Sequence, residues 1–306
     1  METIQDLILR YGVLLGKRNS EKQKKKFLRA AQKQFEQEGF RVDITRLSTN
    51  VFQKETMNAY NLYAGNLKTA KTMLITYYDT PLYHILPKSQ KAFDSNWSKS
   101  NFILHSMISL MMIIVMTIFL CIVVIPHLQN VGFLSIWGIL LVICSIAGFK
   151  LIHHLRGGMA KRNNLNRNSS SLITMIGLAS GLSDDEKKNI AFAFIDEGTR
   201  SELGLRMLDD YLKDVNMKRI YLDVIGNKGN LHSFSTTKIS DIQNLQNHPM
   251  FPEGKRFGDI LIASGVIRNK EILIQPNIRS DNLILEKQIN EAIIVIKEIV
   301  KTLQTV

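Results

Sequence analysis

Two long apolar runs, Phe102–Ile125 and Val131–Ile152, stand in the middle of a chain whose flanks both pattern as parts of one α/β domain. Neither run contains Asp, Glu or Arg, and the one Lys is Lys150 near the far end. About 20 apolar residues are enough for a helix to cross the hydrocarbon core of a bilayer. Five residues, Pro126-His127-Leu128-Gln129-Asn130, separate the runs, so the sequence predicts a tight transmembrane hairpin set inside a domain.

The net charge of +12 over 306 residues resembles a nucleic-acid signal until it is mapped. Much of the excess lies in Lys17–Lys33 and in the segments bordering the hairpin: Lys88, Lys91, Lys99, Lys150, Arg156, Lys161 and Arg162. The loop between the runs has no Lys or Arg. The positive-inside rule then places both flanks and both termini in the cytoplasm, with a multi-pass anchor in the cell membrane. Cations beside a bilayer are drawn to anionic lipid at about 1 kcal/mol each. No basic-aromatic motif or zinc-finger spacing points to nucleic acid. The N-terminal stretch has acidic residues before its apolar part and no small-residue cleavage site, unlike a signal peptide. Cys121 and Cys144 fall one in each apolar run and read as small hydrophobes.

Helical periodicity marks Ser20–Glu38, with Phe27, Leu28, Ala31 and Phe35 on one face and Lys and Gln on the other. Strands are expected at Phe40–Ile44, Asn58–Gly65, Lys71–Tyr78, Asn189–Ile195, Arg219–Ile225 and Glu271–Ile274. Helices are expected at Leu172–Gly181, Glu202–Asp214 and Ile284–Leu303. Ser169-Ser170-Ser171 read as caps of the helix starting at Leu172. The run Asp184–Lys188 reads as a solvated loop. Trp137 suggests packing against another helix, and Gly132, Gly138 and Gly148 leave room for one. Strands alternating with helices give an α/β class with a mostly parallel central sheet.

Read in order, seven segments resemble the zinc aminopeptidase family that includes glutaminyl cyclases and the transferrin-receptor ectodomain. They are Ser20–Val42, Asn58–Gly65, Met73–Pro81 (MLITYYDTP), Asn166–Ala179 (NRNSSSLITMIGLA), Ile190–Leu205, Tyr221–Gly226 (YLDVIG) and Asn277–Ala292. The resemblance implies a three-layer domain made of residues 1–100 and 155–306, interrupted by the transmembrane α-hairpin at 101–154. It also implies a site. That family holds two zinc ions about 3.5–4 Å apart on His, Asp and Glu.

At the corresponding positions this chain has Tyr77 for the His, Asp79 for its partner, and Arg167 for the bridging Asp. Gly198 and Thr199 stand for the Glu-Glu pair, Asp223 is kept, and Asn277 replaces the last His. One ligand of five remains, and Arg167 carries a permanent cation at the bridge. The resemblance therefore implies a degenerate site with no catalytic residue, no metal and no cofactor. Sliding the loop by two residues brings Asp196-Glu197 to the Glu-Glu position, with His84 as a substitute ligand, but leaves Arg167 and Asn277 unchanged. Arg167 either fills the emptied site and pairs with Asp223, and with Asp79, or points to solvent. No Gly-x-Ser-x-Gly or Cys/His arrangement offers another hydrolase.

These readings converge on a membrane-anchored pseudopeptidase that binds a peptide or other membrane subunits, in a setting of peptide processing or export. The alternative is an active membrane-bound zinc aminopeptidase with diverged ligands. Partners expected are the lipid bilayer and membrane proteins; the sequence does not speak to homo-oligomers.

Overall fold

The computed structural model describes residues 2–52, 55–80, 90–93, 96–155, 164–198, 202–237, 239, 241–268, 271–274 and 283–305. The chain divides into two compact units. One comprises Met1–Pro81, Pro87–Ser95 and Lys161–Val306; the other comprises Leu82–Leu86 and Asn96–Ala160.

The first unit is built on one sheet. Its strands are β1 (Val42–Phe52), β2 (Glu55–Ala64), β3 (Thr72–Tyr77), β4 (Gln90–Lys91), β5 (Ile190–Ile195), β6 (Lys218–Leu222), β7 (Asn230–Ser235), β8 (Leu245–Pro249), β9 (Ile260–Arg268) and β10 (Glu271–Ile274). They run in the order β1-β2-β5-β3-β6-β9-β10-β4, with β7 beside β9 and β8 beside β7. The centre, β5-β3-β6-β9, is parallel, and the β1-β2 and β9-β10-β4 flanks are antiparallel. β3 and β5 are buried along their whole length. Strands covered on both faces have to be apolar throughout, which is why TMLITY and IAFAFI show no polar alternation.

Side chains still divide by face, since successive Cβ atoms point to opposite sides of a sheet. Leu74, Ile190, Phe192 and Phe194 enter one core with Leu7, Tyr11, Phe27, Phe35, Leu172 and Ile296. Met73, Ile75, Ala191 and Ala193 enter the other with Leu205, Leu208, Phe257 and Phe93. The first core is covered by four helices: α1 (Ile4–Leu7, running on as a π-helical stretch Ile8–Leu14), α2 (Glu21–Gln37), α6 (Ser170–Ser180) and α9 (Glu286–Thr305). α8 (Leu203–Tyr211) lies over the second. The expected mixed α/β class with a mostly parallel centre is the one observed.

Several local expectations change. The three serines do not cap α6. A π-helical turn, Leu165–Ser169, precedes it, and Ser169 and Ser170 turn their hydroxyls back to the carbonyls of Asn164 and Asn166. A hydroxyl that finds a carbonyl one turn earlier has no need to serve as a cap. The charged run is a short helix, α7 (Asp184–Lys188), because Ser183 and Glu186 form a capping box at its start. The strands β7, β8 and β9 carry Asn, His, Ser and Gly among their apolar residues, which hides their pattern in the sequence.

The second unit contains α3 (Asn96–Phe119), a π-helical turn (Leu120–Val124), α4 (Ile125–Val131) and α5 (Ile136–Leu155). The expected loop Pro126–Asn130 is helical, and the turn falls at Gly132–Ser135. Proline lacks an N–H and crowds the preceding turn. Widening Leu120–Val124 into a π turn lets the helix pass Pro126, and it stops at Gly132, whose φ is +83°. The helical stretch Ile103–Val131, 29 residues, is long and apolar enough to cross a membrane, while Ile136–Lys150 is a shorter apolar helix. Trp137 stacks on His127 within this unit, ring centroids 4.3 Å apart, and the side chain of Met116 fills the space above Gly148. Both features are used inside the hairpin.

Candidate functional site

The carboxyl ends of the parallel strands gather the polar side chains, the usual place for a site in such sheets. Tyr77 closes β3, with Asp79 just beyond it. Asp223 follows β6, and Asp196, Glu197 and Gly198 follow β5. The π turn before α6 brings in Arg167. All of these except Gly198 are buried.

Arg167 points inward. Its Nε donates to the Tyr77 hydroxyl at 2.9 Å, and that hydroxyl donates to Asp223 Oδ1 at 3.2 Å. The second oxygen, Asp223 Oδ2, accepts the Phe93 N–H at 2.8 Å. Burial holds the Tyr77 phenol well above its ordinary pKa, so it stays a neutral donor. Burial also raises Asp223, opposed by the Arg167 guanidinium and by the donors from Phe93 and Tyr77. Val224, next in the chain, holds a left-handed backbone with φ +53°. For a β-branched residue this is costly. It is held there by its N–H to the Arg167 carbonyl at 3.1 Å and by Ser264 Oγ donating to its own carbonyl at 2.8 Å. Strain of this kind fixes where Asp223 points.

Asp79 turns to the β5 loop and accepts the Gly198 N–H at 2.9 Å. Gly198 lies against Tyr77, and a Cβ there would collide with the Tyr77 Cβ and ring. Gly198→Ala is therefore expected to cost about 1–3 kcal/mol, measured by denaturation of the purified chain. Combining it with Tyr77→Ala should recover little of the loss, since the Tyr77 Cβ, the nearest obstruction, remains.

Asp196 and Glu197 do not face the Tyr77 cluster in place of Gly198 and Thr199. They hold Lys24, a buried residue of α2, at 2.6 Å from Asp196 Oδ1 and 2.5 Å from Glu197 Oε1. The Tyr60 N–H donates to Asp196 Oδ2 at 3.1 Å. Burial keeps the Asp196 carboxyl at about 6, with Lys24 opposing and the charges of Glu197 and Asp79 adding to it. The same carboxylates outweigh desolvation and hold Lys24 above its ordinary value. The two directions agree physically: one ammonium is shared among several crowded carboxylates, so the cluster keeps its cation and also favours an extra proton.

A second buried cation lies next to this region. Arg18 is fully buried. It donates from Nε to the Tyr78 carbonyl at 2.5 Å, from Nη1 to the carbonyls of Tyr11 and Leu15, and from Nη2 to Asn168 Oδ1 and Ser169 Oγ. Asn168 in turn donates to the Asp79 carbonyl. Arg18 thus fixes the end of β3 and the Arg167 turn to each other.

Of the seven positions expected to mark the site, the structure brings Tyr77, Asp79, Arg167, Gly198 and Asp223 together. Thr199 and Asn277 lie outside the described residues, as does His84. Lys24 and Arg18 escaped the sequence reading because both sit in the basic stretch Lys17–Lys33. The spacing of Lys24 to Phe27, Leu28, Ala31 and Phe35 was the signal, since it puts Lys24 on the apolar face of α2.

Zinc does not fit the described residues. A neutral phenol and a guanidinium flank Asp223, and Asp79 is engaged by the Gly198 N–H. Among the described residues no group of three or more His, Cys, Asp or Glu could hold a metal ion.

The layered domain with this strand order has the aminopeptidase/glutaminyl-cyclase-like fold, which also accounts for the order of the sequence segments. No protein-family model and no curated protein sequence matches the chain. The glutaminyl cyclase of Tannerella forsythia superposes with a TM-score of 0.57 at 11% identity, covering 97% of this chain and 97% of its own. The Porphyromonas gingivalis glutaminyl cyclase gives 0.56 at 10%, over 98% and 95%. A Zn-dependent exopeptidase from Parabacteroides distasonis gives 0.57 at 10%, over 97% and 94%. The likeness is one of fold.

Proposed function

We propose that this chain is a membrane-anchored aminopeptidase-like protein without peptidase activity, which binds a peptide or a partner protein as a subunit of a membrane complex. The observation that carries this reading is the buried Arg167–Tyr77–Asp223 chain, set at positions the family resemblance assigns to zinc ligands. A permanent cation linked through a neutral phenol to the one retained ligand leaves no place for a dication. The anchor is the apolar insert, with both termini and the folded domain on the cytoplasmic side. The length and composition of Ile103–Val131 support insertion, and the basic segments flanking a loop without Lys or Arg support the orientation. The complex would be one that processes or exports peptides.

Zinc content of the purified chain, with hydrolysis of aminoacyl anilides, tests the reading. Zinc far below one ion per chain and no hydrolysis are expected. About two zinc ions per chain with hydrolysis would put an active membrane-bound aminopeptidase with diverged ligands in its place. Recovery of a stoichiometric partner from native membranes tests complex membership.

A further inference from the structure

The outer side of α1 is apolar where a surface helix is normally polar. Leu7 and Tyr11 face the core, but Leu9, Val13 and Leu14 are 55%, 58% and 70% exposed. Among the described residues of this unit, no other six-residue stretch exposes three large apolar side chains. Lys17 follows on the surface.

α2 lies alongside. Arg10 Nη1 donates to Gln34 Oε1 at 2.9 Å, and the Tyr11 hydroxyl donates to the Ala30 carbonyl at 3.3 Å. The π-helical stretch after α1 therefore touches α2 on its Ala30–Gln34 side. At about 100° per residue, Lys22, Lys26, Arg29 and Lys33 form one narrow stripe next to that side, ended by Glu36. All are exposed. An exposed apolar strip and a row of cations thus lie on two elements that touch each other, the composition of a segment lying in a membrane interface.

Within the same unit, Arg18 and Gly16 also bond to residues that precede and follow the apolar insert in sequence. The Arg18 N–H donates to Thr80 Oγ1 at 2.6 Å, the Thr80 N–H to the Arg18 carbonyl at 3.2 Å, and the Thr80 hydroxyl to the Gly16 carbonyl at 3.2 Å. Thr80 comes just before the chain that leads to α3. The Arg18 guanidinium holds Asn168 and Ser169, which follow the chain's return from α5.

We infer that this face docks on the headgroup region of an anionic bilayer, with the three apolar side chains in the interface and the cation stripe on lipid phosphates. The inference rests on the reading of the insert as a membrane anchor. Docking lays the domain on the membrane instead of letting it swing from a tether.

The test uses the full chain in vesicles, with Cys121→Ser and Cys144→Ser as background and a single Leu14→Cys. Asp185→Cys, on exposed α7, is the reference. In vesicles of equal phosphatidylglycerol and phosphatidylcholine, a charged maleimide should label Leu14→Cys about tenfold more slowly than the reference, as burial in the interface requires. Each cation contributes about a fivefold factor in partitioning, so phosphatidylcholine alone, or Gln at the four stripe positions, should abolish the protection. Equal labelling of the two sites in anionic vesicles overturns the docking. An alkaline carbonate wash reads the anchor separately. A chain that survives it but labels equally keeps the anchor and loses the docking. A chain that is washed out, yet is protected at low salt beforehand, keeps the docking and loses the anchor.

Discussion

Lys24→Met is expected to destabilise the folded chain by about 3–5 kcal/mol, because it strands a buried carboxylate pair without its cation. Asp196 and Glu197 sit within salt-bridge distance of Lys24 and are themselves buried. The pH dependence identifies the cause. Asp196 has a folded pKa of about 6, raised from 3.8. Stability from its protonation is fully present below its ordinary value and is lost as pH rises through about 6. The raised Lys24 contributes in the same sense but at far higher pH, with stability present below the ordinary lysine value and lost only as pH rises beyond it. Removing the ammonium moves the carboxyl titration further up. The deficit of the variant should therefore be clearly smaller at pH 5 than at pH 8, compared by denaturation midpoints in the same detergent. Equal deficits at the two pH values would show that lost packing, not charge, sets the effect.

Arg167→Ala is the second large effect, also about 3–5 kcal/mol. Asp223 is buried and raised, and the Arg167 guanidinium opposes that rise. Without it Asp223 takes up a proton more readily, so this deficit too should narrow as pH falls. The double variant Arg167→Ala/Asp223→Asn removes the stranded charge and should recover a good part of the loss. Arg167→Lys should recover less, since a lysine ammonium has no planar fork to meet the Tyr77 hydroxyl. A loss within about 0.5 kcal/mol, the range of ordinary surface changes, would remove Arg167 from the site. Together with Gly198→Ala, these variants distinguish a site rebuilt as a packed polar core from one merely missing its metals.

The class of fold was readable because it depends on burial. TMLITY and IAFAFI read as central strands, since they are short, free of charged side chains and without a helical period. Glu271–Ile274 was placed to the residue. The strands β7 and β8 were not readable. Asn230–Ser235 and Leu245–Pro249 take their conformation from pairing with β9 and with each other, and carry no period of their own. The turn of the apolar insert is not legible in the sequence because proline and polar residues ordinarily break a helix, whereas here a π turn absorbs Pro126 and Gly132 makes the turn.

At the site, Tyr77, Asp79, Arg167 and Asp223 were readable as positions because they lie at strand ends and at a helix start whose order resembles a known family. Their contacts were not. The sequence left two courses open for Arg167, inward or to solvent, since a guanidinium on a polar turn has no local preference. Tertiary packing decides it: Arg18 holds the turn from behind, and the neutral Tyr77 phenol offers the acceptor. The same holds for Lys24, which periodicity places on the apolar face and to which the β5 loop, folded back from far along the chain, brings two carboxylates. The sequence by itself determined what must be buried, since hydrophobic pattern is local. The tertiary structure decided which buried charges meet, because an ion pair depends on distances that no local pattern records.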